Sequence, residues 1–152
     1  MKELLTIIVL WLSTNFGLFP SYDHPRVEFV PVTEMAALRA KGLAAGWLLQ
    51  PGVVVGQPAQ VAEVVSVYDD STKTIYLPDG WTSSKPADLS ILVHEMVHHL
   101  QNVAELKFAC PQEREQLAYS AQERWLGLFG HDLLHDFELD AFTLLVKTKC
   151  FY

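Results

Sequence analysis

Apolar residues recur at helical spacing in the middle of the chain: Leu89, Leu92, Val93, Met96, Val97 and Leu100 fall on one stripe and predict a helix over 86–102. Pro86 suits its first turn, where no amide donor is needed, and Asp88 suits the positive end of the helix dipole. A second helix is expected over 110–130, opened by Pro111, with Ala118, Tyr119, Gln122, Trp125, Leu126 and Phe129 on its inward face. The run 137–146 reads as a core helix anchored by Leu139, Phe142, Leu145 and Val146. Before these helices, the β-branched and aromatic stretches 61–68 and 74–77 flank the turn residues 69–73, which predicts a β-hairpin.

The first third is less regular. Residues 22–32 carry Pro25 and Pro31 and read as an irregular lead-in, followed by a short helix over 34–41 capped by Thr33 and stopped by Gly42. Residues 46–56 are apolar but interrupted by Pro51 and Gly52, which favours a turn between two short strands. No repeat or internal domain boundary is visible. The expected architecture is α+β: a small antiparallel sheet or hairpin, then the helix over 86–102 and two further helices.

At 152 residues the chain is long enough for one real core. A net charge of −7 supplies neither the basic footprint of a nucleic-acid binder nor a polybasic membrane patch, so nucleic acid is not an expected partner. Lys2, the apolar run 4–12 and the small polar residues after it have the pattern of a secretory signal peptide, making 1–20 a leader or an uncleaved membrane anchor and 21–152 a single domain. The other reading is a buried N-terminal helix or strand. Cys110 and Cys150, the only two cysteines, form a disulfide in an exported chain. Its closure would stabilise the fold by about 4 kcal/mol in the chain-entropy account.

The chemistry is concentrated in the central helix. His94-Glu95-Met96-Val97-His98 is an H-E-x-x-H pattern. His94 and His98 project about 40° apart on a helix and away from the apolar stripe, so both imidazoles can reach one ion. Glu95 lies beside the ion but off the ligand line, where a base belongs. His99 points about 100° from His98 and reads as a flanking residue, whereas Gln101 could orient a ligand or touch substrate.

A third ligand must face the two histidines, with the fourth position left open. The second helix offers Glu113, Glu115 and Glu123. Only Glu115 shares the inward face, where a carboxylate is costly without a cationic partner. It is the expected ligand, an internal pair with an arginine or lysine being the alternative. Two imidazoles and a carboxylate favour a single Zn2+.

His94-Glu95-x-x-His98 followed by Glu115-x-x-Ala118-Tyr119 resembles the gluzincin class of zinc metallopeptidases. HEMVHHLQ, CPQEREQLAY and QERWL are more specifically similar to a small, uncharacterised bacterial family of exported metallopeptidase-like proteins. The resemblance covers about 74–126, and the long additional domain of larger gluzincins is missing. It implies a minimal zincin-like fold and a zinc-dependent hydrolase in which Glu95 moves protons, with a peptide or protein as substrate.

An oxyanion donor is expected at Tyr119, with His131 or His135 as the other candidate. His131 and His135 could also form a second metal pair with Asp132 or Asp136, or a polar rim. Zinc peptidases often have a strand above the active-site helix that pairs with extended substrate, which makes Thr74, Ile75, Tyr76 and Leu77 candidates; an ordinary sheet strand is the other reading. A metal-dependent amidase on a non-peptide substrate, and a zinc-stabilised binding or inhibitory module without turnover, are the competing functions.

Overall fold

The computed structural model describes residues 1–44 and 66–151. Helix α1 (Lys2–Phe16) is followed by β1 (Arg26–Val30), α2 (Val32–Ala44), β2 (Val67–Asp69), β3 (Thr74–Pro78), α3 (Pro86–Val103), α4 (Pro111–Gly127), α5 (Leu133–Asp136) and α6 (Ala141–Thr148). The class is α+β, as the periodicities predict.

The centre of the molecule is α3. Leu92, Val93, Met96, Val97 and Leu100 are at most 1% exposed, and the helix opens as expected with Pro86 in its first turn. Asp88 fixes the approach to it: its carboxylate accepts from Thr82 N–H at 2.9 Å and its carbonyl from Trp81 Nε1 at 2.7 Å. The sheet lies on one side, α4 on another, and α1 completes the core by burying Leu5, Ile8, Val9 and Leu12. Trp11 of α1 meets Trp125 of α4 edge-on, with centroids 5.0 Å apart. Gly17 ends α1 at φ 66°, a left-handed cap that costs glycine nothing. Among the described residues no helix is long and apolar enough to cross a membrane.

The expected hairpin is present as β2 and β3, paired antiparallel from Val67↔Tyr76 to Asp69↔Thr74. Asp69 organises its turn, accepting from Ser71 N–H at 2.9 Å and Ser71 Oγ at 2.6 Å. The sheet nevertheless differs from the expectation, because the supposed irregular lead-in contributes β1, which runs parallel to β3 from Arg26↔Thr74 to Val30↔Pro78. The strand order is β1-β3-β2, so β3 is central. Pro25 and Pro31 bracket β1 without interrupting its ladder, which is where proline is tolerated.

Helix α2 starts earlier and continues through Gly42 to Ala44, so that glycine is not its stop. The helix packs on β2 and β3. The strand pair expected within 46–56 and residues 61–65 of the first hairpin strand lie outside the described residues.

The C-terminal segment is the larger departure. Instead of one core helix, α5 and α6 are separate, each opened by an aspartate whose carboxylate caps it, Asp132 on His135 N–H and Asp140 on Thr143 N–H. Glu138 between them has φ 50°, which a continuous helix does not allow. Phe142 and Leu145 are exposed, Leu139 and Val146 only partly buried. The cause is positional: α4 already presents its inner face to α3, and α6 packs on α4. The Cys110–Cys150 disulfide joins the start of α4 to the end of α6, Cα to Cα 5.9 Å.

Candidate metal centre

Three donors converge where α4 crosses α3. His94 Nε2 and His98 Nε2 lie 3.2 Å apart, and each is 3.2 Å from one oxygen of Glu115. Among the described residues, His94, His98 and Glu115 form a group with metal-binding geometry. The two histidines are nearly buried, at 9% and 6% exposure, because α4 closes over the face of α3 that carries them.

The glutamates of α4 have separate tasks. Glu113 accepts from the Ala109 N–H and closes the N-terminal turn. Glu123 accepts from Leu133 N–H at 2.9 Å and seats α5. Glu115 alone reaches the histidines.

Hydrogen bonds behind the imidazoles decide their tautomers. Gln101 Nε2 donates to the Arg114 carbonyl at 3.1 Å, so its Oε1 must be the atom facing His98 Nδ1 at 3.1 Å, and that nitrogen carries the proton. Ser90 Oγ donates to Ala87 O at 2.6 Å and therefore accepts from Gln122 Nε2 at 3.3 Å. Gln122 Oε1 then accepts from His94 Nδ1 at 3.0 Å. Both Nε2 lone pairs are thus directed at the Glu115 carboxylate.

Three lone-pair donors this close repel one another unless a proton or a metal ion lies between them. Tetrahedral zinc with bonds of about 2.0–2.1 Å has donor–donor edges of about 3.3–3.4 Å, close to the spacing observed. The donor set, its spacing and the protons held on the outer nitrogens all fit a divalent ion such as zinc.

Electrostatics agree. Burial alone would raise the Glu115 carboxyl, but His98 and His94 beside it hold it well below the usual carboxylate range. Burial pulls the His98 imidazole down, and Glu115 outweighs that and holds it above its ordinary value.

The neighbours of the three donors are equally ordered. Glu95, 5% exposed, accepts from the Ser66 hydroxyl and lies outside the ligand cluster, as its place on the helix implies. Arg114 pairs with Asp70 of the β2–β3 turn through two nitrogens and reaches the His98 carbonyl at 3.4 Å. This clamp fixes the first turn of α4, hence Glu115, against α3 and the hairpin. The Tyr119 and His94 rings pack in a T-shaped contact, with centroids 4.7 Å apart. Burial, reinforced by the Glu115 and Glu95 carboxylates, pushes the Tyr119 hydroxyl far up, so it remains a proton donor.

His99 is a flanking residue. Its Nε2–H donates to the Asp23 carbonyl at 2.8 Å and its Nδ1 accepts from the Tyr68 hydroxyl at 3.0 Å, which ties α3 to β2 and to the segment before β1.

Two expectations are corrected. Thr74, Ile75 and Tyr76 offer no free strand edge, because β1 and β2 pair with them from both sides, and Leu77 is paired by β1 with its side chain fully buried. His131 lies beyond the far end of α4, which runs about 18 Å from Glu115 to Gly127 at 1.5 Å per residue. It bonds to Asp136 at 2.6 Å in an exposed loop, and His135 also bonds to Asp136, at 3.3 Å. These residues have the character of a polar rim.

Gln122, Ser66 and the Arg114–Asp70 pair were not anticipated as parts of the site. Gln122 left a signal, two turns beyond Glu115 on the same face. Ser66 left none, being 29 positions from Glu95.

No curated protein and no solved structure matches the chain. The model of one family, Domain of unknown function (DUF6647), matches residues 1–151, and the chain belongs to that family.

Proposed function

We propose that the protein is a zinc-dependent hydrolase that cleaves peptide bonds, with His94, His98 and Glu115 holding the ion and Glu95 as the base. The observation carrying this reading is the convergence of two Nε2 lone pairs and one carboxylate at 3.2 Å, with an uncoordinated glutamate on the same helix. When bound, zinc supplies Lewis acidity to a water and to the scissile carbonyl.

The chain's own groups supply the rest. Glu95, oriented by Ser66, takes a proton from the attacking water and returns it to the leaving amine. Tyr119 is the donor available beside His94 for the oxyanion that develops. Gln101 and Gln122 keep the outer imidazole nitrogens protonated so that the inner ones stay available to the ion. The disulfide supports an exported location, where thiols stay oxidised.

The test is Glu95→Gln in the full chain. It should retain zinc at wild-type stoichiometry and lose peptide hydrolysis by at least about a hundredfold, the scale of a lost general base. Undiminished hydrolysis in that variant, or a wild-type chain that takes up no zinc, would overturn the reading.

A further inference from the structure

Strand β2 is only three residues long, yet both of its ends are engaged in the centre. Ser66, immediately before it, donates to the Glu95 carboxylate. Asp70, immediately after it, takes both terminal nitrogens of Arg114, the chain neighbour of Glu115 on α4. Between these ends the Tyr68 hydroxyl meets His99 Nδ1 at 3.0 Å. Asn102 of α3 donates to the Tyr68 hydroxyl and to the Asp70 carbonyl, each at 3.0 Å.

These contacts form a ladder in which residues 66, 68 and 70 meet 95, 99 and 102 in turn, so β2 lies lengthwise along α3. The spans agree, since four strand steps cover about 13 Å and seven helical steps about 10.5 Å. Val67, Tyr68 and Asp69 are paired with β3 and at most 5% exposed, which makes the strand move as one piece. Its charged anchor is Asp70. Among the described residues Arg114 has no other carboxylate, its side chain is 18% exposed and its Nε has no partner, so the guanidinium depends on Asp70. Glu115, Arg114, Asp70, β2, Ser66 and Glu95 are thus joined by an unbroken series of covalent and hydrogen-bonded links.

We propose that β2 couples the ligand helix α4 to the base, with Asp70 as a positioning residue: the Asp70–Arg114 pair sets β2 along α3 and so holds Ser66 against Glu95. The consequence for turnover rests on the hydrolase reading above. The coupling itself requires only that an ion engages Glu115, which steadies Arg114 and, through Asp70, the strand.

Amide hydrogen exchange on the full chain, with and without zinc, tests the link without turnover. Zinc should slow exchange in β2 about tenfold more than in β1, which shares the sheet and reports the general stabilisation by a bound ion. Asp70→Asn should abolish the excess at β2 and leave the response of β1. Equal slowing of the two strands in the wild-type chain would overturn the proposal. That comparison needs no substitution, so a folding defect in a variant cannot shield it.

Turnover at saturating zinc, on a fluorogenic peptide selected with the wild-type chain, is the second measurement. Ser66→Ala and Asp70→Asn should each lower kcat about tenfold or more with KM unchanged, as a misplaced base does. The double variant should be no slower than the slower single one, because both changes break the same series of links. If Asp70 served only to anchor α4, Asp70→Asn would bind zinc more weakly and regain wild-type kcat once the site is filled. That outcome, or losses that multiply in the double variant, would refute the coupling. Zinc-dependent protection of β2 in a chain that hydrolyses no peptide would sink the peptidase reading and leave the coupling standing.

Discussion

Gln122 Oε1 accepts the Nδ1 proton of His94 at 3.0 Å, and this single bond commits the opposite ring nitrogen to act as a lone-pair donor. Gln122 touches neither Glu115 nor His98 in the hydrogen-bond network, yet it belongs to the candidate metal centre because it sets the protonation of one proposed ligand. Gln101 does the same for His98 at 3.1 Å. Each carboxamide is itself held by a second bond, so neither can turn over without losing a partner.

Gln122→Ala should therefore weaken zinc binding by about ten- to a hundredfold while all three ligands remain. Competition against a chromophoric chelator measures it. Unchanged affinity would show that the His94 tautomer needs no support from α4.

The metal-free chain should be most stable between about pH 4.5 and 6.5. Glu115 is depressed in the fold, so its contribution is present above the ordinary carboxylate value and is lost as pH falls. His98 is raised, so its contribution is complete below the ordinary imidazole value and is lost as pH rises through its folded value. On the proposed reading, zinc would take the place of the proton on the alkaline side. Melting temperatures recorded against pH with chelator and with zinc should diverge above neutrality, and curves that superimpose there would contradict the coupling.

Helix α1 carries enough of the core to be tested by a single change. Ile8 is 0% exposed, and Ile8→Ala should cost about 2–5 kcal/mol. Removing 1–20 deletes Leu5, Ile8, Val9 and Leu12 together, at about 1.5–3 kcal/mol each, a sum comparable with the whole stability of a domain. Thermal melts of both chains measure this. A chain beginning at residue 21 that melts like the full one would place α1 outside the working fold.

The parts of the site readable from sequence share one property: they depend on residues a few positions apart. The i, i+4 spacing of His94 and His98, the off-line place of Glu95 and the choice of Glu115 over Glu113 and Glu123 follow from the angular repeat of a helix, which the backbone imposes locally. The same holds for the hairpin turn at Asp69 and for the extent of α3.

What the tertiary structure decided depends on partners distant in the chain. β3 looked open as a substrate edge because β1, its parallel partner at a separation of 48 positions, is a five-residue stretch between Pro25 and Pro31 whose brief polar–apolar alternation does not say which strand it joins. The apolar residues of α6 promised a core position, but α4 had already turned its inner face to α3. Ser66 came to Glu95, and Asp70 to Arg114, only because the hairpin folds back onto the two helices. Short-range periodicity determines which way a side chain leaves its own element. What that side chain meets is decided by long-range packing, since the competing surfaces are brought together only when the whole core closes.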